Sequence, residues 1–325
     1  MRAAVKGGKL ISIVTSAYNE EGNVEEFARQ LQEVFSENPG YEFEVIAVDN
    51  GSADGTFEKL LKVREKDPRF KIVQLARNFR MDGGITAGLQ YARGDAAVIM
   101  TANLQDKPAL ITVMIGKWEE GYENVYGIVE KRSGKGFFRR ISSELFYLII
   151  NKLTHDQIPR NASDFRLVDR KVYETINKMG ERNRFLRGMF AWVGFKSVGI
   201  KFERQRRFSG KSHADFLKVL NLAIKGIFAF SYIPIQFIAA SGFVISALSL
   251  LYLIISAVKF LIVGVPFPGY GTITSLIVLL FGLMFFFLGV LGQYIAQIYE
   301  EVKTRPNFIV CRDIGFDPGD NDKKI

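Results

Sequence analysis

Residues 43–56 of this chain read FEVIAVDNGSADGT, in which a mostly apolar run passes directly into a polar segment. The apolar part, Phe43–Val48, has the length and composition of a buried β-strand. Four similar runs occur in the first 130 residues, and amphipathic segments such as Val24–Phe35 and Thr56–Arg64 lie between them. Strands that alternate with helices predict a mostly parallel, Rossmann-like sheet with helices on both faces. The other predicted strands are Leu10–Ser16, Lys71–Leu75, Ala96–Met100 and Asn124–Val129.

Polar segments follow four of these strands directly. They are YNEE (Tyr18–Glu21), Asp49–Thr56, RNF (Arg77–Phe79) and TANLQD (Thr101–Asp106). Ligands of open α/β sheets bind at the carboxyl ends of the strands, and the carboxylates and amides here suit a base and a ribose. No G-x-G-x-x-G follows the first strand and no G-x-x-x-x-G-K-[ST] occurs, so a Rossmann dinucleotide site is disfavoured and a P-loop is excluded. Asp54–Thr56 alone favours a turn that caps a helix.

The composition excludes several classes of protein. With 325 residues, of which 48% are hydrophobic and 24% charged, the chain is not disordered. The single cysteine, Cys311, excludes an intrachain disulfide and a Cys-rich zinc site. Only His155 and His213 are available for a histidine-based metal site, and they are far apart in sequence. The net charge of +9 is concentrated where the chain approaches its apolar segment, which predicts a surface for phosphates and headgroups and no nucleic-acid partner.

The sequence from Gly226 to Tyr299 contains one charged residue, Lys259. Because a helix needs about 20 apolar residues to cross a bilayer, we predict a two-helix transmembrane hairpin, Ile235–Val258 and Ile273–Ile298. Basic residues flank the hairpin, so the positive-inside rule places both termini in the cytoplasm. These flanking residues are Lys211, Lys218, Lys225, Lys303 and Arg305.

We therefore expect four segments. Residues 1–210 form a cytoplasmic α/β domain, and residues 211–232 form a juxtamembrane amphipathic helix. Residues 233–300 hold the two transmembrane helices, and residues 301–325 form a cytoplasmic C-terminal tail.

Several segments together resemble a known family. YNEE and Val48–Thr56 are similar to the opening of family 2 glycosyltransferases with the GT-A fold. Other segments resemble the branch that acts on polyisoprenyl phosphates, which includes bactoprenol glucosyltransferases and dolichyl-phosphate mannose synthases. The resemblance covers about Ile11–Ile298, and the Gln-x-x-Arg-Trp motif of processive relatives is absent. The further segments are Arg77–Phe79, Thr86–Leu89, Leu104–Asp106, Asp164–Leu167, Asn183–Gly188, Trp192–Phe195 and Arg204–Ser212.

The resemblance implies an inverting transfer of glucose from UDP-glucose to undecaprenyl phosphate at a bacterial inner membrane. By position, Asp164 corresponds to the family's catalytic acidic residue, with Arg166 beside it. Alternatively, Asp164 pairs with Arg166 and only holds the loop. The nucleotide-sugar ligands implied are Tyr18, Glu20, Asp49, Ser52, Arg77, Thr101 and Asn103. The candidates for the lipid phosphate or the leaving diphosphate are Arg204, Arg207, Lys211 and Ser212.

The resemblance also implies a divalent cation, Mg²⁺ or Mn²⁺. The family's metal motif, usually Asp-Ala-Asp-Leu-Gln, falls on Thr101–Gln105, where both carboxylates are missing. Three interpretations remain open. Asn103, Gln105 and Asp106 hold the metal weakly with the donor's phosphates, or Arg and Lys meet the donor's charge with little metal, or the site is inactive.

The sequence does not fix the donor sugar or the oligomeric state. The donor is alternatively GDP-mannose or a UDP-aminosugar, or the protein is a nucleotide-sugar-binding scaffold without transfer activity. The resemblance suggests homo-oligomers, and Gly242-x-x-x-Ser246 is a weak helix-packing motif. Two helices rarely build a conduit, so we expect a separate flippase.

Overall fold

The protein is described by a computed structural model over residues 8–130, 162–182 and 184–204, individual positions between 238 and 262, and residues 270–316. The described strands are β1 (Lys9–Ala17), β2 (Tyr41–Asp49), β3 (Phe70–Leu75), β4 (Ala96–Thr101), β5 (Asn124–Val129), β6 (Ala162–Asp169), β7 (Ser197–Phe202) and β8 (Val310–Ile314). The described helices with continuous bounds are α1 (Val24–Glu37), α2 (Thr56–Lys66), α3 (Arg80–Tyr91), α4 (Leu110–Glu119), α5 (Arg170–Lys178), α6 (Leu186–Trp192) and α7 (Tyr270–Val302).

The eight strands form one mixed sheet in the order β7-β5-β6-β4-β1-β2-β3-β8. The neighbours β4, β1, β2 and β3 are mutually parallel, and β5 is parallel to β7. Strand β6 runs antiparallel to β4 and β5, and β8 runs antiparallel to β3. The carboxyl ends of β1–β5 and β7 therefore share one edge of the sheet with the amino ends of β6 and β8. We call it the site edge.

Helices cover both faces of the sheet, as predicted. On one face, Ile11 and Ile13 of β1 share a core with Phe27 of α1, and α2 and α4 pack beside α1. On the other face, α3 contacts β1, β2 and α5. A Cβ on Gly88 of α3 would lie 2.4 Å from Val14 Cγ1, so the close approach of α3 to β1 depends on this glycine.

The five strands predicted from apolar runs are confirmed, and three further strands are present. Strand β6 contains Ser163, Asp164 and Arg166, so it lacks a continuous apolar run. Strand β7 is largely half-buried. Strand β8 lies within residues 301–325, the predicted C-terminal tail.

Strand β8 is held by contacts with the β3–α3 region in addition to its backbone hydrogen bonds with β3. The backbone amide of Ala76 donates to the carbonyl of Ile309 at 2.9 Å. The hydroxyl of Tyr91 on α3 donates to Asp313 Oδ2 at 3.2 Å, and the rings of Tyr91 and Phe316 have centroids 4.6 Å apart. Residues after the long C-terminal helix thus complete the edge of the sheet.

The described residues fall into two compact units, one within Met1–Val219 and Arg305–Ile325 and the other within Leu220–Thr304. The second unit contains α7, whose segment Leu279–Val302 has a mean hydropathy of 2.0 and no buried residues. Its length and composition are sufficient to cross a membrane, and it overlaps the second predicted span. It is the single such helix among the described residues. The first predicted span is described only at individual positions, all helical, so the hairpin stays a prediction.

Candidate active site

The site edge gathers most of the residues that the sequence identifies. Each lies at or just after the end of a strand that ends there, or within β6, which starts there. Three acceptor-side candidates, Arg207, Lys211 and Ser212, lie outside the described residues. The others are Tyr18 and Glu20 after β1, Asp49 and Ser52 at and after the end of β2, Arg77 after β3, Thr101 to Asp106 at the end of β4, Asp164 and Arg166 in β6, and Arg204 after β7.

The loops after β1 and β2 are joined by hydrogen bonds. The amide of Asn19 donates to Ser52 Oγ at 3.0 Å, and the amide of Ala53 donates to Asn19 Oδ1 at 2.9 Å. The amide of Glu20 donates to Thr56 Oγ1 at 2.9 Å. Asn19 has a φ of 53°, a left-handed conformation that asparagine adopts more readily than most residues. These bonds bring the predicted ligands Glu20 and Ser52 close together.

Asp54 has a structural role, as its local pattern favours. The amide of Thr56 donates to Asp54 Oδ1 at 3.1 Å, at the start of α2. The amide of Glu21 donates to Asp54 Oδ2 at 3.3 Å. The carboxylate therefore accepts the first backbone amide of α2, from the position before the N-cap Gly55, and joins the helix to the loop after β1.

Asp49 is fully buried at the carboxyl end of β2. Its Oδ1 accepts the amide of Ser52 at 3.1 Å, and its Oδ2 accepts the side-chain amide of Gln74 at 3.4 Å. Gly51 has a φ of 70°, and a Cβ there would lie 2.5 Å from the carbonyl carbon of Arg77. The glycine thus allows the loops after β2 and β3 to meet, which places Arg77 beside the Asp49 loop.

Asp164 pairs with Arg187, a residue that the sequence did not single out by itself. Arg187 Nη2 lies 2.7 Å from Asp164 Oδ2, and Arg187 Nε lies 3.1 Å from Asp164 Oδ1. The side chains are 25% and 26% exposed. Burial acts to raise the pKa of Asp164, but the charge and hydrogen bonds of Arg187 together with the charges of Arg166 and Arg204 outweigh it, so the pKa lies below its usual range. The motif Asn183–Gly188 was the available signal for Arg187.

Arg166 is not the hydrogen-bonded partner of Asp164. Its Nη2 donates to the carbonyl of Ser163 at 3.2 Å, and its guanidinium stacks 4.4 Å from the ring centroid of Phe190. Burial lowers the pKa of Arg166 to about 10, so it remains a cation at neutral pH. In the alternative interpretation Asp164 pairs with Arg166, whereas in the structure its hydrogen-bonded partner is Arg187.

A second carboxylate, Asp82 at the start of α3, lies beside this pair and was also missed. It lines a small cavity of about 10 Å³ with Asp164, Arg166 and Arg187. It accepts the backbone amide of Leu186 at 3.4 Å. Burial, followed by the charge of Asp164, raises the pKa of Asp82 to about 6.

The segment after β4 forms a turn closed by its own side chains. Thr101 Oγ1 donates to Asn103 Oδ1 at 2.9 Å, and the amide of Gln105 donates to the same oxygen at 3.1 Å. Asn103 Nδ2 donates to Gln105 Oε1 at 3.3 Å. Leu104 at the centre has a φ of 58°. The neutral oxygens predicted as metal ligands are thus engaged within the turn.

Asp106, the remaining predicted metal ligand, forms a bidentate salt bridge with Arg204. Arg204 Nε to Asp106 Oδ1 and Arg204 Nη2 to Asp106 Oδ2 are both 2.9 Å. The Asp106 side chain is 2% exposed. Burial acts to lower the pKa of Arg204, but the carboxylate of Asp106 raises it above its usual range.

The described side chains do not fit a divalent cation at this place. Such a cation prefers carboxylate oxygens. Asp106 forms a salt bridge with Arg204, Asp49 is fully buried, and Asp164 forms a salt bridge with Arg187. Within the described ranges, no group of three or more His, Cys, Asp or Glu side chains is placed to hold a metal ion.

With this geometry in place, the comparisons with known proteins identify the family. The family model "Glycosyl transferase family 2" matches residues 12–176. The chain belongs to glycosyl transferase family 2. An uncharacterised glycosyltransferase of Synechocystis is 39% identical over 92% of this chain and 94% of its own. The bactoprenol glucosyl transferase of Shigella phage SfII is 35% identical over 92% of this chain and 97% of its own. A prophage bactoprenol glucosyl transferase homolog of Escherichia coli is 34% identical over 93% and 98%.

The solved structures show that this family 2 member has a GT-A-like mixed sheet. Glucosyl-3-phosphoglycerate synthase from Mycobacterium tuberculosis, solved with Mn²⁺, UDP and phosphoglyceric acid, has a TM-score of 0.50 and 18% identity. The match covers 68% of this chain and 77% of that chain. At this identity the likeness concerns the fold alone. The chain is thus a glycosyltransferase with an α/β domain of GT-A type.

Proposed function

We propose that the protein transfers glucose from UDP-glucose to undecaprenyl phosphate, with inversion, giving glucosyl-phosphoryl-undecaprenol and UDP. One observation carries this proposal: the similarity to bactoprenol glucosyl transferases extends over 92% of this chain and 97% of theirs. The similarity therefore includes the apolar C-terminal part, which a soluble acceptor would not require.

On the donor side, Tyr18, Glu20, Asp49 and Ser52 line the uridine pocket, and Arg77 lies near the same nucleotide. The interlocked loops after β1 and β2 support this assignment because they join Glu20 and Ser52 at the site edge. The buried carboxylate of Asp49 orients the Ser52 amide in this pocket. The Thr101–Asn103 turn borders the diphosphate.

In the reaction, an oxygen of the lipid phosphate attacks the anomeric carbon of glucose, and the bond from that carbon to the diphosphate oxygen breaks. A phosphate monoester has a second pKa of about 6, so it is largely a dianion at neutral pH and needs no strong base. The protein's tasks are in-line placement and stabilisation of charge. Because the neighbouring arginines keep Asp164 ionised, Asp164 acts through its negative charge beside the anomeric carbon. Arg187 fixes its position, and Arg166 adds a positive charge nearby.

On the acceptor side, Arg207, Lys211 and Ser212 bind the lipid phosphate just before the membrane. Planar guanidinium groups suit phosphate oxygens. The polyprenyl tail stays in the bilayer beside the two predicted spans. The protein is then an integral inner-membrane protein with its catalytic domain and both termini cytoplasmic. It forms homo-oligomers, and a separate flippase moves the product.

The test is a lipid-product assay with the purified full-length protein. Undecaprenyl phosphate is incubated with radiolabelled UDP-glucose, GDP-mannose or a UDP-aminosugar, and the organic phase is counted. We expect label in lipid from UDP-glucose alone, and at least a hundredfold loss in Asp164→Asn. The exposed-pair variant Lys9→Gln, which removes a cation far from the site edge, serves as the control. A product from another donor alone would refute the choice of glucose.

A second candidate function is a nucleotide-sugar-binding scaffold without transfer activity. The observation that favours it is the loss of both carboxylates at Thr101 and Asn103. Binding of UDP without lipid product from any donor would support it against the enzyme.

A further inference from the structure

The turn after β4 uses its polar atoms internally. Asn103 Oδ1 accepts two hydrogen bonds, from Thr101 Oγ1 and from the amide of Gln105, and Gln105 Oε1 accepts one from Asn103 Nδ2. The amide and hydroxyl groups thus satisfy one another, and Asn103 is 8% exposed. A cation would have to compete with both of these bonds for Asn103 Oδ1. The other oxygens of the turn are neutral and are weaker ligands than carboxylates.

The carboxylate that follows the turn is equally engaged. Both oxygens of Asp106 bind Arg204, and the Asp106 side chain is 2% exposed. Removing Arg204 from it would leave a buried charge without a partner, which is strongly unfavourable. Asp106 therefore fixes a guanidinium at the place where a metal-binding carboxylate would be needed.

Arg204 is well placed to meet an anionic group. Its Nη2 also donates to Ser163 Oγ at 3.3 Å, next to Asp164, so it lies between the β4 turn and the proposed reaction centre. A quarter of its side chain (26%) is exposed. Its Nη1 makes no hydrogen bond to any residue that the structure describes. A guanidinium fixed on one side by a carboxylate presents its remaining donors in a defined direction, which suits phosphate oxygens.

We propose that this chain binds the diphosphate of its donor without a divalent cation, and that the guanidinium of Arg204 supplies the counter-charge. This inference rests on the proposed function, since it takes a nucleoside diphosphate sugar as the donor. The inference goes beyond the proposed function in two respects. It assigns Arg204 to the diphosphate, and it makes Asp106 a positioning residue for Arg204.

The first test measures UDP binding to the full-length protein by calorimetry, once with EDTA and once with Mn²⁺. We expect the two Kd values to agree within about twofold. Binding at least tenfold tighter with Mn²⁺ would overturn the inference and leave the proposed donor intact. Failure to bind UDP in either buffer would refute the proposed donor itself, and the inference with it.

The second test removes the counter-charge without leaving a buried ion alone. The double variant Asp106→Asn/Arg204→Gln replaces the pair by neutral groups of similar size, and circular dichroism checks its fold. We expect UDP affinity in EDTA to fall at least tenfold. The matched control is Glu130→Gln/Lys201→Gln, an exposed pair 3.2 Å apart whose Lys201 side chain is 72% exposed, and it should bind UDP as the wild type does. Equal affinity of both double variants would overturn the role of Arg204.

The third test restores carboxylates. Thr101 Oγ1 and Asn103 Oδ1 are 2.9 Å apart, so carboxylates at both positions would share one ion. Mn²⁺ binding in the presence of UDP is followed by the loss of the electron paramagnetic resonance signal of the free ion. We expect Thr101→Asp/Asn103→Asp to bind Mn²⁺ at least tenfold more tightly than the wild type. Equally tight binding by the wild type would overturn the inference whether or not the variants are active.

Discussion

Replacement of Arg187 by methionine tests how charge is balanced around Asp164. The change removes the bidentate contacts of 2.7 and 3.1 Å and leaves Asp164 beside Asp82. Loss of one partner from a buried pair costs about 3–5 kcal/mol. Because about a quarter of each side chain is exposed, solvent reduces this cost, and we expect the free energy of unfolding at pH 7.5 to fall by about 1–3 kcal/mol.

The loss should depend on pH with a defined sign. Asp82 has a raised pKa of about 6, so its ionisation destabilises the fold as the pH rises above the unfolded pKa, and the cost is complete above pH 6. Asp164 has a lowered pKa, so its contribution is present above the unfolded pKa and is lost only as the pH falls through the folded pKa. Without Arg187, the two ionised carboxylates repel above pH 6. The variant should therefore lose more stability at pH 7.5 than at pH 5.

Urea unfolding of the full-length protein, followed by tryptophan fluorescence, measures these differences. Trp118 is a suitable probe because it is 8% exposed and its Nε1 donates to Asp169 Oδ2 at 2.9 Å. The control is Asp164→Asn/Arg187→Met, which removes the charge on both sides and should be more stable than Arg187→Met alone at pH 7.5. Equal losses at the two pH values, or a double variant less stable than the single one, would refute the coupling of these charges.

Three further predictions concern the site loops, the topology and the last strand. Gly51→Ala should lower the free energy of unfolding by about 1–3 kcal/mol, because the added Cβ would lie 2.5 Å from the carbonyl carbon of Arg77 at a φ of 70°. The control is Gly116→Ala, where nothing lies within 4 Å of the added Cβ; thermal unfolding should show no loss of stability or a gain. Exposed Cys311 should react with an impermeant maleimide in inside-out vesicles and not in spheroplasts. Gly269 lies between the two predicted spans, so Gly269→Cys in a Cys311→Ser background should show the reverse. Labelling of both cysteines from the same side would contradict the hairpin. Tyr91→Phe, which loses the hydroxyl bond to β8, should lower stability by about 1 kcal/mol and speed amide exchange in β8 relative to β1; unchanged exchange would show that this bond does not anchor β8.

The strands that could be predicted are those whose burial is visible in the sequence. The first five are apolar runs closed by polar segments, and the core buries Ile11, Val45 and Val98 completely. Strand β6 escaped prediction because Ser163 and Arg166 are buried polar residues, which local hydropathy assigns to the surface. Strand β8 pairs with a strand more than 200 residues earlier, and no local pattern encodes that pairing.

Some residues of the candidate site could likewise be predicted from the sequence, and others could not. Residues at or just after strand ends, such as Asp49 and Ser52, could be singled out from the sequence by the rule that ligands bind at strand ends. The salt bridges of the site could not be predicted from the sequence. Asp106 and Arg204, for example, are 98 residues apart and meet only when β4, β6 and β7 are aligned. A carboxylate next to a metal motif suggests a ligand by sequence alone, whereas its burial against Arg204 favours a structural partner.

The direction of β6 decides which carboxylate of that strand lies at the site edge. Its two aspartates lie at opposite ends, Asp164 near the start and Asp169 at the end. Because β6 runs antiparallel to β4, its amino end lies at the site edge and Asp169 lies opposite the start of β4 at Ala96. There the Asp169 carboxylate accepts a hydrogen bond from Trp118 Nε1 and caps α5 by accepting the amide of Lys171. If β6 were parallel to β4, Asp169 would lie at the site edge and Asp164 at the opposite edge. The residue type is the same at both positions, so it is the antiparallel direction of β6 that places Asp164 at the site edge.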